Sequence, residues 1–91
     1  MPNDNNIYHY NVLEYDCNGK TYLSDKIFIL NKNKLIDSYG RVDTVGVMKF
    51  FLDQFYPGIT NVSGFYAIFD DKNMKSITIK WRTPHWKLIR I

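Results

Sequence analysis

Residues 7–30 have the sequence IYHYNVLEYDCNGKTYLSDKIFIL, in which aromatic and branched aliphatic residues flank a central Asn18-Gly19 pair. Such residues suit the pleated, half-buried surface of a β-strand. Asn and Gly tolerate the positive φ that a tight hairpin turn requires, and this dipeptide is the strongest short-range hairpin signal. The sequence therefore predicts two antiparallel strands, over about residues 7–16 and 20–30.

One helix is predicted after this hairpin and a polar loop at residues 31–34. Asp43 is a favoured N-cap, because its carboxylate accepts backbone N–H bonds that the first helical turn leaves unpaired. Tyr56-Pro57-Gly58 ends the helix, since the residue before a proline disfavours the α conformation. Residues 35–42 fit either a short helical turn or an irregular connection. Apolar residues at helical spacing predict one buried stripe, formed by Val47, Met48, Phe51, Leu52 and Phe55.

The C-terminal third of the chain predicts further strands, over residues 65–69, 74–82 and, as an optional fifth strand, 85–91. Residues 70–73 form a polar turn. The resulting order β-β-α-β-β predicts an α+β domain, a small antiparallel sheet of four or five strands with one helix packed on a face. Within the strand at 74–82, alternation points Ile77, Ile79 and Trp81 toward the core.

The length of 91 residues predicts a single domain, residues 1–91, with a frayed N-terminus over residues 1–6. Cys17 is the only cysteine, so an intramolecular disulfide is excluded. The first residues lack the pattern of a signal peptide, and no apolar run approaches the ~20 residues that span a bilayer. These features predict a cytoplasmic protein without membrane contact.

The charge distribution supplies the first candidate site. Residues 1–71 have a balance of −3, whereas residues 72–91 hold six basic and no acidic side chains. Cations interleaved with aromatic rings are typical of single-stranded nucleic-acid binders, where cations track phosphates and rings stack on bases. The alternative is that both tryptophans belong to the core and the cations to a solvated strand face. The residues concerned are Lys75, Lys80, Trp81, Arg82, His85, Trp86, Lys87 and Arg90.

A second candidate surface is formed by aromatic residues of the first hairpin. Tyrosine is favoured at protein interfaces because it buries a large area for few rotatable bonds. Ordinary cross-strand packing is the alternative. Phe50, beside the helical stripe, either widens that stripe or serves as an exposed anchor. The possible interface residues are Tyr8, Tyr10, Tyr22 and Phe50.

The sequence does not predict a catalytic or metal site. Its two histidines and single cysteine lack the pair spacings of zinc sites, and it has no phosphate-cradling glycine loop. Cys17 and His9 lie about 26 Å apart along an extended strand, too far to form a catalytic dyad. We therefore expect a non-enzymatic protein without cofactor or metal.

The composition, rich in Asn, Lys, Ile and Tyr, resembles that of small accessory proteins of phages and mobile elements from AT-rich bacteria. The resemblance implies an inhibitor or regulator that binds and occludes a larger protein, which could be one that processes nucleic acid. Two alternatives stay open: direct nucleic-acid binding through the basic C-terminal strands, and a homodimer with a structural role.

Overall fold

The computed structural model describes residues 7–35 and 43–91, which form five strands and one α-helix. The strands make one antiparallel sheet in the order β2-β1-β5-β4-β3, with the helix packed on it. The predicted α+β class is confirmed, and the optional fifth strand is present. The elements are β1 (Ile7–Tyr15), β2 (Thr21–Asn31), a 3-10 helix (Lys32–Leu35), α1 (Thr44–Phe55), β3 (Phe65–Phe69), β4 (Ser76–Trp81) and β5 (Thr83–Arg90).

Two expectations concern residues that the structure does not describe. The frayed terminus, residues 1–6, lies outside the described residues. The same holds for residues 36–42, which make up most of the segment predicted as a helical turn or an irregular connection. The polar loop predicted at 31–34 is instead the end of β2 followed by the 3-10 helix.

The first hairpin is confirmed, with each strand one residue shorter at the turn than predicted. Tyr15 pairs with Thr21, so five residues connect the strands, and only Gly19 among them has a positive φ, 82°. The N–H of Gly19 donates to the carbonyl of Asp16 at 3.1 Å. The turn is tightened further because the Asp16 carboxylate accepts the backbone N–H groups of Asn18 (2.8 Å) and Lys20 (2.9 Å).

The helix begins as its capping residue predicts. The Asp43 carboxylate accepts the N–H of Val45 at 3.0 Å, and the N–H of Tyr56 closes the last turn on the carbonyl of Leu52 at 2.7 Å. The predicted stripe packs on the sheet, and within it Phe51 is fully buried. Its ring centroid lies 5.7 Å from that of Phe28 and 5.1 Å from that of Trp86. This aromatic contact joins the helix to β2 and to β5.

We call the side of the sheet against which α1 packs the covered face. Phe28 and Leu30 on β2, Ile77 and Ile79 on β4, and Leu88 on β5 are fully buried there. The phase predicted for β4 is therefore correct for its two isoleucines. Tyr10 also points to this face, where its hydroxyl donates to the carbonyl of Met74 at 2.6 Å.

The helix also closes part of the β2 edge, beside which no other strand lies within residues 7–35 and 43–91. The side chain of Gln54 accepts the N–H of Ile29 at 3.3 Å and donates to its carbonyl at 2.8 Å. An unpaired strand edge is a template for pairing with another chain. One glutamine thus supplies the donor and acceptor that a further strand would offer at Ile29.

Candidate functional site

The basic segment, continuous in sequence, is divided by the β4–β5 hairpin into separate groups. Arg90 lies beside Lys75 at one end, where the backbone N–H of Arg90 donates to the Lys75 carbonyl at 2.8 Å. Arg82 forms the tip at the other end, between Trp81 and Thr83. Arg82 and Arg90 are eight positions apart along β5, about 26 Å at ~3.3 Å per residue. The predicted site residues therefore do not form one compact patch.

The hairpin tip exposes one tryptophan beside a cation. Trp81 is 39% exposed, and the Arg82 guanidinium lies 4.8 Å from its ring centroid. Phe65 stacks on the same indole with centroids 5.9 Å apart. The sequence left open whether Trp81 belongs to the core or to the surface. It lies between the two, at the rim of the covered face.

Two features of the chain hold this tip in place. Arg82 has a positive φ of 65°, a conformation that few residues other than glycine adopt. Gly64 has a φ of 87°, and a Cβ there would lie 3.2 Å from the indole nitrogen of Trp81. Any other residue at position 64 would be strained at this φ, and its Cβ would crowd the Trp81 indole.

Trp86 and His85 are part of the packing behind the tip. Trp86 is half-buried against the core, with its ring centroid 5.1 Å from those of Phe51 and Tyr56. His85 lies between the two tryptophans, and its Nε2 is 3.1 Å from the Trp81 carbonyl oxygen. Trp86 therefore caps one end of the core and offers less ring surface to a partner than Trp81 does.

The interface predicted from tyrosines of the first hairpin needs correction. Tyr10 is fully buried and is a core residue, because β1 turns its even-numbered positions toward the helix. Tyr8 points the same way and is half-buried, with the Arg90 guanidinium 4.6 Å from its ring centroid. Tyr22 alone is largely exposed, at 57%. Phe50 packs against the core and widens the helical stripe.

The opposite side of the sheet, which we call the open face, carries large aliphatic residues that the sequence did not single out. Leu23 is 69% exposed, Ile29 50% and Ile27 42%. Leu23 pairs with Leu13 on β1, so these four side chains share one face. We call them the aliphatic strip. Alternation had not revealed them, because β2 has the unbroken apolar run Ile27-Phe28-Ile29-Leu30, in which both faces are apolar.

On β4 and β5 the open face is polar and basic, while β3 adds the exposed Tyr66 and Ile68. Lys87 lies 3.9 Å from the carboxylate of Asp70, which also accepts the hydroxyls of Ser76 (2.7 Å) and Thr78 (2.9 Å). Lys80 lies 5.8 Å from the ring centroid of Tyr66 on β3. The open face therefore changes from aliphatic on β1 and β2 to hydroxyl-bearing and cationic on β4 and β5.

The β3–β4 turn next to Asp70 is ordered by a second carboxylate. Asp71 accepts backbone N–H groups of Ser76 at 3.0 Å, Lys75 at 2.8 Å and Asn73 at 3.3 Å. These bonds, that from Ser76 above all, hold the pKa of Asp71 below its usual value. The Asp71 carboxylate is therefore charged at neutral pH and serves the turn, as the sequence predicted for residues 70–73.

Within residues 7–35 and 43–91, three or more potential metal-ligating side chains nowhere gather closely enough to hold an ion. None of the helices in that part of the chain has the length and apolarity to cross a bilayer. Comparison with protein-family models, with curated protein sequences and with solved structures finds no match for this chain.

Proposed function

We propose that the protein is a cytoplasmic, non-enzymatic binding protein, an inhibitor or regulator that covers a surface of a larger protein partner. The observation that carries the proposal is the aliphatic strip on the open face. Single exposed apolar residues are ordinary, whereas a group of large apolar residues exposed on one face is a candidate interaction site. Leu23, Ile27 and Ile29 are such a group on one strand, with the exposed Asp25 between Leu23 and Ile27.

The neighbouring charges favour a partner of defined chemistry. Lys87 on β5 pairs with Leu13 of the strip, Lys80 lies one strand farther away on β4, and the chain carries a net charge of +3. Complementary charge around an apolar centre gives an interface its orientation and speeds association. We therefore propose an apolar partner surface with acidic side chains on the side that meets β4 and β5. Self-association would bring two chains of +3 together and is less favoured.

Affinity capture from the producing cells tests this proposal with matched variants. The wild-type protein is expected to retain a stoichiometric partner, and Ile27→Lys/Ile29→Lys to lose it. Val45→Lys is the control, since Val45 on α1 is exposed to a similar extent, 49%, on the other side of the sheet. Equal capture by all three proteins would contradict the proposal. A doubled mass of the free protein by light scattering would favour the homodimer instead.

Direct nucleic-acid binding is the second candidate function, favoured by the exposed Trp81 ring beside Arg82. Stacking of a base on an aromatic ring contributes about 1–3 kcal/mol. In a Trp86→Phe variant, Trp81 becomes the only tryptophan, so its fluorescence reports on the tip. Titration with single-stranded oligonucleotides should then give a saturable change that weakens with salt and is lost in Arg82→Gln. Unchanged emission at low and high salt would exclude this function for the tip.

A further inference from the structure

A cavity of about 390 Å³ lies at the end of the β4–β5 hairpin opposite the Trp81 tip. Its volume falls in the range of about 300–1,000 Å³ that small-ligand sites have. Four cationic side chains from three parts of the chain line it: Lys32, Lys72, Lys75 and Arg90. Among the described residues that line the cavity, none carries a carboxylate.

Arg90 is fixed in this cavity by its neighbours. Its Nη1 donates to the carbonyl of Asn73 at 3.0 Å, and its guanidinium lies 4.6 Å from the Tyr8 ring centroid. A guanidinium has five N–H donors, so the bond to Asn73 leaves donors for an anion. Because the side chain is already ordered, a ligand would lose less free energy in immobilising it.

The loop that carries the two lysines is fixed as well. Met74, between Lys72 and Lys75, is buried and has a positive φ of 57°. Its carbonyl accepts the buried hydroxyl of Tyr10 at 2.6 Å, which fastens the loop to β1. The turn that carries two of the four cationic residues of the cavity is therefore held against β1.

We infer that this cavity binds an anion that carries two or more phosphate groups. A phosphate monoester has a charge of about −1.5 to −2 at neutral pH. Four cations exceed the charge of one such group, even with the Asp71 carboxylate in the adjoining turn. Lys72 and Lys75 are exposed point charges, and Arg90 supplies a planar set of donors; this combination suits phosphate oxygens.

Isothermal titration calorimetry with inorganic pyrophosphate, at about 50 mM salt to limit screening, tests the site. We expect saturable 1:1 binding that is stronger than binding of orthophosphate. Lys72→Gln/Lys75→Gln should weaken it by about tenfold or more, since charge-assisted hydrogen bonds are lost. Lys20→Gln/Lys49→Gln removes the same net charge from exposed positions outside the cavity and should leave the affinity within about twofold.

Two competitors identify the source of the phosphates. Displacement of pyrophosphate by a nucleoside triphosphate, but not by an oligonucleotide, assigns the site to a free polyphosphate. Displacement by a single-stranded oligonucleotide, with an affinity that rises with length, assigns it to adjacent backbone phosphates. Absence of saturable pyrophosphate binding, or an equal loss in the Lys20/Lys49 control, would overturn the inference. The aliphatic strip lies outside the cavity, so this result is independent of partner capture.

Discussion

The covered and open faces belong to the same five strands but differ in what their side chains contact. Between the covered face and α1, Tyr10 and Phe28 of the sheet and Phe51 of the helix are fully buried. On the open face, Leu23 and Ile29 remain half or more exposed. Alternation along each strand builds both faces, so apolar character alone does not define the core. The packing of α1 decides which of these apolar residues stabilise the fold and which are available to a partner.

Removal of the Phe51 ring, which packs between α1 and the covered face, should have the largest effect on the free energy of unfolding. Phe51→Ala leaves a cavity between Phe28 and Trp86 and should lower the free energy of unfolding by about 3–5 kcal/mol. Urea denaturation followed by circular dichroism measures the change. Leu23→Ala on the open face is the comparison and should stay within about 0.5 kcal/mol. Similar losses in the two variants would mean that the faces do not differ as described.

Tyr10 should give the next largest effect, because its hydroxyl is the buried donor to Met74. Tyr10→Phe leaves the Met74 carbonyl without that bond and should cost about 1–3 kcal/mol. Tyr22→Phe is the matched control, since Tyr22 is 57% exposed. Its free energy of unfolding should remain close to that of the wild type, and a loss as large as that of Tyr10→Phe would contradict the assignment.

The raised pKa of Tyr10 should make the free energy of unfolding decrease at alkaline pH. Burial raises the pKa of Tyr10 from 10.0 to about 12. Between these values the unfolded chain releases the phenolic proton while the folded chain retains it, so the free energy of unfolding decreases as pH rises. Below pH 10 this contribution is fully present. Across this pH range, the free energy of unfolding measured by denaturation should fall less in Tyr10→Phe than in the wild type or Tyr22→Phe. The same pH dependence in all three proteins would show that Tyr10 is not the cause of the fall.

Gln54, which bonds the edge of β2 at the boundary between the two faces, should have a smaller effect on the free energy of unfolding. Gln54→Ala removes both bonds to Ile29 and should lower stability by about 1 kcal/mol. Gln54→Glu keeps an acceptor for the Ile29 N–H but cannot donate to its carbonyl, so an intermediate loss is expected in chemical denaturation. Equal stability of all three proteins would show that the edge does not need this side chain.

Local sequence signals predicted most of the fold, because they act within a few residues. The Asp43 cap, the helical stripe and the alternation of Ile77 and Ile79 each agree with the structure. The turn around Gly19 was predicted at the right place, but it takes up residues 16 and 20 as well, because the Asp16 carboxylate accepts the backbone N–H groups of Asn18 and Lys20. Bonds from side chain to backbone of this kind are weakly marked in a sequence.

The candidate sites were harder to predict because they depend on which strands become neighbours. Lys75 and Arg90 were expected in one basic segment with Arg82, but the β4–β5 hairpin carries Arg82 to the far end. Lys32 joins the cavity from a different part of the chain. The aliphatic strip can be recognised only once the pairing of Leu13 with Leu23 and the face of the sheet that α1 covers are known.

Site-specific photo-crosslinking in the producing cells tests the central claim, that the open face contacts a protein partner. A photoreactive amino acid replaces Ile27 on the open face in one variant and Val45 on the helix in another; these positions are 42% and 49% exposed. We predict a crosslink from position 27 to a different protein of defined mass, and none to that protein from position 45. Crosslinking to the same protein only from position 45, or none from position 27, would contradict the claim.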